Sequence, residues 1–366
     1  MVYIGSIGLG IPPNNMPQNE VKQLIQSIFE AKTRKMNRLL PVFNNAKVNQ
    51  RQFVVSDQWI KEDHTFAEAN EHYFTFAKKL SLQAIDRCLQ SENTLHQTIP
   101  YEAIDLIVFV SSTGIVTPSL DAYLINERPF REDVIRMPLW GLGCAGGAMG
   151  LSRAAEWIRL HPTKNALIVC CELCSLTFQK EDMSTSNIVG TALFGDGVAA
   201  TLLIGSKSKY KHYLPTQKLK LGNTSSYTQK NSTNVMGWNV TANGLEVIFS
   251  KRIPKLVNTI WKKHVEAFLK EMNQSIHDLS IILAHPGGRK VLEEMESALT
   301  IDKKLLSYSY DVLANHGNMS SSTIIYVLKK WLEEKVNKSF SKKKGILSAL
   351  GPGFSSELLF VEWVRE

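Results

Sequence analysis

The chain has 366 residues, 44% hydrophobic and 21% charged, a composition that excludes a disordered or fibrous protein and leaves room for two core-forming units. Its net charge is +8. The basic residues are scattered, apart from Lys32, Arg34, Lys35 and Arg38 and the run Lys342-Lys343-Lys344, so the balance suits an anionic ligand such as a nucleotide phosphate better than nucleic acid. No stretch approaches the roughly 18 apolar residues of a membrane span. Met1-Val2-Tyr3-Ile4-Gly5 carries no basic leader, and the five cysteines read as reduced thiols. A soluble, cytoplasmic protein without a transmembrane segment is expected.

In chain order, Ala77, Leu80, Ala84, Ile85 and Cys88 recur at helical spacing. Leu106–Val110 is a short run, apolar on both faces, that predicts a buried strand. The helical set Leu151, Ala154, Ala155 and Ile158 follows, then strands at Ala166–Val169 and Ala199–Ile204. Residues 207–220 are polar and lysine-rich and read as a join between units. Asn243-Gly244 predicts a hairpin turn. A strand at Ile281–Leu283, a helix through Ile324, Leu328, Trp331 and Leu332, and a strand at Leu358–Val361 complete the pattern. The late lysine run reads as a solvated loop.

Strands and helices in alternation predict an α/β fold. The order of features also repeats. Asp105–Val110 and Asp278–Leu283 each precede a loop of small residues; Gly143-Cys144-Ala145-Gly146-Gly147 and Gly317-Asn318-Met319-Ser320-Ser321 each open a helix; Gly195-Asp196-Gly197 and Gly351-Pro352-Gly353 each lead into a closing strand. Two similar α/β halves, residues 1–206 and 207–366, are expected.

Cys144 lies near a helix start among residues small enough for another backbone or a ligand to approach, and helix N-termini favour thiolate. A buried structural thiol is the plainer reading of that segment alone. His285 stands at the end of a strand on a stiff Pro286-Gly287-Gly288 loop. Asn318 alone reads as a helix cap. The repeat alters the balance, because matched helix starts in two halves can converge on one site. Cysteine, histidine and asparagine also describe papain-like proteases, but the neighbourhood of Cys144 is not theirs. Cys171-Glu172-Leu173-Cys174 lacks the second pair that a zinc site needs, so no metal is expected.

Five motifs in order, Gly143-Cys144-Ala145-Gly146-Gly147, Ala192-Leu193-Phe194-Gly195-Asp196-Gly197, His285-Pro286-Gly287-Gly288, Gly317-Asn318-Met319-Ser320-Ser321 and Gly351-Pro352-Gly353, resemble the signatures of the chalcone synthase superfamily, the type III polyketide synthases. The lack of plant-type features, and Trp140 before the cysteine loop, make the chain look most like the bacterial alkylpyrone synthases. The resemblance implies a thiolase fold, two α/β halves in α-β-α-β-α layers, and a homodimer. It implies Cys144 as acyl carrier, His285 and Asn318 as donors to a thioester carbonyl or enolate, and Phe194 as a gate. Cavity positions fall at Ser112, Thr177 and Ser320, and Lys47 and Arg51 are candidates for the coenzyme A phosphates. A second aromatic gate of the family falls at Val247, which is not aromatic. Malonyl-CoA and a fatty acyl-CoA are the implied substrates, alkylpyrones the implied products, and no cofactor is implied. A single-round ketoacyl synthase III-like enzyme and a silent acyl-CoA-binding protein are the alternatives.

Overall fold

The computed structural model describes residues 1–29, 33–336 and 343–366; Lys32 and Lys342 of the basic clusters lie outside the described residues. Its strands are β1 Val2–Gly10, β2 Asn14–Pro17, β3 Gln50–Phe53, β4 Leu106–Ser111, β5 Ile135–Trp140, β6 Asn165–Leu173, β7 Asp196–Gly205, β8 Gln217–Thr228, β9 Met236–Thr241, β10 Gly244–Phe249, β11 Ile281–Ala284, β12 Lys344–Gly351 and β13 Ser355–Arg365. Nine of them form one mixed sheet in the order β11-β12-β13-β8-β1-β7-β6-β4-β5.

The predicted runs at 106–110, 166–169, 199–204, 281–283 and 358–361 all lie inside strands, and Asn243-Gly244 falls at the β9–β10 hairpin, where Thr241 pairs with Gly244. The repeat has a topological counterpart. β4–β6 is parallel, β6–β7 and β7–β1 antiparallel; β11–β12 is parallel, β12–β13 and β13–β8 antiparallel. The join differs from expectation. Residues 217–220 are the start of β8, paired with β13 throughout and with β1 from Leu219 on; Leu219 and Leu221 bury in the sheet, while Lys218 and Lys220 donate to the Glu366 carbonyl and the Glu362 carboxylate.

Strand residues alternate between two cores, as a pleat of period two requires. Leu106, Val108 and Val110 of β4 join one cluster, Ile107 and Phe109 the other. The first cluster holds two helices side by side, Gly146–Leu160 and Thr323–Lys335, through Ala148, Leu151 and Ile158 and through Ile324, Leu328 and Trp331. The second holds the outer helix Phe66–Leu89, whose Tyr73, Ala77, Leu80 and Ala84 face the sheet. Capping fixes where that helix begins, since Thr65 and Glu68 bond each other's backbone N–H groups. The result is the layered α/β thiolase fold, with two central helices whose N-termini meet.

Candidate active site

Gly147 lies where a Cβ would stand 2.2 Å from the Ser321 carbonyl oxygen. Only glycine lets the two helix starts press together here. Cys144 sits in the turn Gly143–Ala145 before one helix, and Asn318 two residues before the turn Ser320–Ser322 that opens the other. The Cys144 thiol reaches Asn318 Oδ1 at 3.8 Å. Asn318 Oδ1 also accepts from the Ser320 backbone N–H at 2.9 Å, and Asn318 Nδ2 donates to the Gly287 carbonyl at 3.4 Å. Asn318 therefore touches the cysteine on one side and the histidine loop on the other. Its bonds exceed those of a helix cap.

His285 is buried, and its backbone N–H donates to the Ser348 carbonyl at 2.7 Å. Among the described residues, neither ring nitrogen has a hydrogen-bond partner. Two free nitrogens in a buried imidazole are the mark of groups kept for a ligand. Burial holds the ring's pKa down to about 3, so it is neutral around pH 7.

The thiol departs from expectation. Burial, and secondarily the charge of Glu172, push Cys144 up to about 12, outweighing the hydrogen bonds from Ser320 and Asn318 that favour thiolate. The helix start is thus not sufficient to ionise it at rest. Glu172 is itself buried; burial raises it to about 7 although it accepts from the Ser112 N–H and hydroxyl and from the Ser321 hydroxyl. Glu172 carries no signal of its own in the sequence, since it stands inside the apolar run of β6.

Ser112 is committed to that carboxylate. Ser320 adopts a φ of +47° beside Asn318. Thr177 hydrogen-bonds the Cys174 carbonyl at 2.8 Å and, with Val21, Leu24, Phe53, Phe194 and Val247, lines an apolar cavity of about 30 Å³. That is room for about one water molecule. The aromatic residue expected to be missing at Val247 is present two places on. Phe249 lies on the same face of β10, its ring centroid 5.6 Å from that of Phe194, and Trp238 of β9, the cross-strand partner of Val247, stands 5.9 Å from Phe194. Residues i and i+2 of a strand share a face, so a shift of two still sets an aromatic ring against Phe194.

Arg51 is not a surface cation. It is fully buried, and its Nη1 donates to the carbonyls of Thr191 and Phe194 at 2.8 and 3.2 Å. Lys47 is exposed and lies outside the lining of the cleft that leads past Leu193, Phe249 and Gly287. That cleft has a volume of about 750 Å³, and the basic residues on it are Arg38, Lys251, Arg289 and Lys290. Of these, Arg289 is paired with Glu293.

Asp196 of the Gly195-Asp196-Gly197 motif is a staple, accepting from Val54 N–H, Ser175 N–H and the Ser175 hydroxyl at 2.8, 2.7 and 2.6 Å. Cys170, Cys171 and Cys174 are buried and unbonded to one another. Among the described residues, no cluster of histidine, cysteine and carboxylate could hold a metal, and no helix is long and apolar enough to cross a membrane.

The family profile for the N-terminal domain of chalcone and stilbene synthases matches residues 2–208, and that for the C-terminal domain matches residues 222–365. The chain belongs to this family. It is an enzyme, a type III polyketide synthase of the condensing acyltransferase kind. A putative chalcone synthase of Bacillus subtilis (strain 168) is 44% identical over the whole of both chains. The 1,3,6,8-tetrahydroxynaphthalene synthase of Streptomyces peucetius subsp. caesius is 30% identical over 98% of this chain and 93% of its own. The crystal structure of the corresponding Streptomyces coelicolor A3(2) synthase, a bacterial type III polyketide synthase, superposes with a TM-score of 0.91 at 26% identity, covering all of both chains. The alpha-pyrone synthesis polyketide synthase-like Pks18 of Mycobacterium tuberculosis (strain ATCC 25618 / H37Rv) is 27% identical over all of this chain and 92% of its own. These chalcone and stilbene synthase relatives thus carry different product names on one scaffold.

Proposed function

We propose that the enzyme loads a fatty acyl group from its coenzyme A thioester onto Cys144 and extends it with malonyl-CoA to alkylpyrones. The observation that carries this reading is Asn318 touching both the Cys144 thiol and the loop behind the unpartnered His285 ring. The Cys144 thiol attacks the starter thioester carbonyl, its proton leaves with the coenzyme A thiol, and a Cys144 thioester results. Malonyl-CoA then loses carbon dioxide, and the electron pair of the broken C–C bond becomes an enolate. One N–H of neutral His285 and the Asn318 amide donate to that oxygen. The enolate carbon attacks the Cys144 thioester, the C–C bond forms, and the Cys144 sulfur leaves.

Arg38, Lys251 and Lys290, rather than Lys47 and Arg51, face the phosphates of coenzyme A at the cleft. Phe194, Val247 and Thr177 line a small apolar cavity at the start of the acyl path; it widens as a chain enters, and its apolar walls favour an alkyl starter, at about 0.8 kcal/mol per buried methylene. The relative named for alpha-pyrone synthesis supports the pyrone product. The enzyme works as a homodimer. β5 is an edge strand whose outward Ile135 and Trp140, with nearby Ile115, are 47%, 53% and 44% exposed, an unpaired apolar edge of the kind that a second copy covers.

Mass spectrometry of products from malonyl-CoA with hexanoyl, decanoyl, palmitoyl and coumaroyl thioesters tests the reading. Multiply extended alkylpyrones are expected. Products of a single extension would instead make it a ketoacyl synthase, and absence of both product and carbon dioxide would make it an acyl-CoA-binding protein.

A further inference from the structure

Arg51 is a buried guanidinium without a counterion. It is 0% exposed, and among the described residues no carboxylate pairs with it. Among those residues its Nε and Nη2 have no hydrogen-bond partner either, and burial lowers its pKa to about 9. Removing such a charge from water costs free energy that only good contacts offset, and an apolar side chain of equal length is often tolerated better. What the charge does make is specific. Nη1 bridges the carbonyls of Thr191 and Phe194, at the C-terminal end of the helix Thr185–Leu193, where a cation suits the helix dipole.

The segment it grips is tied to the site by backbone. The Asn318 N–H donates to the Leu193 carbonyl at 2.8 Å, and the Gly195 N–H donates to the Asn318 carbonyl at 3.1 Å. Phe194 and Asn318 thus form an isolated β-bridge whose gate side is held by Arg51. The next residue of β3 holds the other side. Gln52 Nε2 donates to the Asn315 carbonyl at 3.4 Å, and its Oε1 meets His316 Nδ1 at 2.7 Å. Space at this crossing is tight, since a Cβ at Gly195 would lie 2.4 Å from the His316 carbonyl oxygen and 3.1 Å from Arg51 Cβ. β3 braces gate and amide donor together.

We propose that Arg51 is a positioning residue: by fixing the Thr191 and Phe194 carbonyls it sets the Phe194–Asn318 bridge, and through it the place of the Asn318 amide in the decarboxylation step. This rests on the functional reading above. Arg51 touches no substrate; it acts through Asn318.

The test separates this role from a merely structural one by scaling each activity to the Cys144 thiols that react with iodoacetamide. Arg51→Met should alkylate like wild type yet release carbon dioxide from malonyl-CoA on the order of tenfold more slowly per reactive thiol, the size that small misplacements of a catalytic group produce. Arg51→Lys keeps a cation and its N–H donors but on a shorter side chain without the planar head that seats Nη1 between the two carbonyls, and should fall about threefold, between the two. Equal decarboxylation per reactive thiol in wild type and Arg51→Met overturns the proposal. Where Arg51→Met does not fold, Arg51→Lys decides in the same way: a per-thiol deficit supports it, and none overturns it. Wild type that releases no carbon dioxide at all contradicts the functional reading instead.

Discussion

The turn that carries Cys144 is bare, Gly143-Cys144-Ala145-Gly146-Gly147, whereas the turn that follows Asn318 is crowded with hydroxyls, Ser320-Ser321-Ser322. The bare turn has to admit its neighbour: a Cβ at Gly147 would meet the Ser321 carbonyl at 2.2 Å, and one at Gly351 would meet Ala145 N at 2.8 Å. The crowded turn has to satisfy buried polar groups. Ser321 donates to Glu172 at 2.6 Å, and Ser322 donates to the carbonyls of Cys170 and Gly197 at 3.0 and 2.8 Å. One helix start supplies space and a thiol; the other supplies hydrogen bonds and an amide. The difference teaches that a duplicated fold can place two matched positions at one point while giving each a separate chemical task.

The largest break comes from the donor side. Asn318→Ala should slow malonyl-CoA decarboxylation by about 10²–10³, the usual cost of one oxyanion donor, while thermal melting changes little. Normal decarboxylation would reduce Asn318 to a helix cap. The bare side is broken by volume. Gly147→Ala should cost about 1–3 kcal/mol of stability by denaturant unfolding, because its new methyl meets backbone rather than a flexible side chain. An unchanged midpoint would show that the two helix starts do not press on each other.

Glu172 sharpens the comparison, because the crowded turn holds the carboxylate that opposes the thiol. Its pKa is raised to about 7 from the usual 4.5 by burial, so the stability it contributes is full below about pH 4.5 and is lost as pH rises through 7. Glu172→Gln should therefore gain on wild type between pH 5 and 8, by on the order of 1–3 kcal/mol in paired unfolding curves. It should also alkylate faster at Cys144 with iodoacetamide at pH 8, since the Glu172 charge raises that thiol. A pH-independent difference between the two proteins would contradict this. The smallest effect is expected at the gate. Val247→Phe should shift the preference from palmitoyl toward hexanoyl starters by about tenfold or less, the scale on which one hydrophobic wall discriminates chain length. An unchanged profile would remove Val247 from the acyl path.

What was legible in the sequence was local. Cys144, His285 and Asn318 each stand in a short contiguous motif whose glycines announce a close approach, and the strands around them are short, apolar runs. The gate was half legible. Phe194 lies in such a motif, but Phe249 depends on the register of β10, and the alternation Leu245, Val247, Phe249 was the signal that both positions face one way. Arg51 was misplaced because charge suggests solvent, and its burial is created by carbonyls 140 and 143 residues away. The join at 207–220 looked polar throughout, since the acceptors that let Lys218 and Lys220 sit in a strand, the Glu366 carbonyl and the Glu362 carboxylate, are 148 and 142 residues away. β1 was overlooked for a similar reason, its glycines masking a central strand that pairs with both β7 and β8.

The step that decides the mechanism is transfer of the acyl chain to the bare helix start. Intact-protein mass spectrometry after brief incubation with decanoyl-CoA, followed by peptide mapping, reads it out. One decanoyl adduct per chain is expected, on the peptide containing Cys144, absent from Cys144→Ala and discharged on adding malonyl-CoA. An adduct at another cysteine, or alkylpyrone formation by Cys144→Ala, would contradict it.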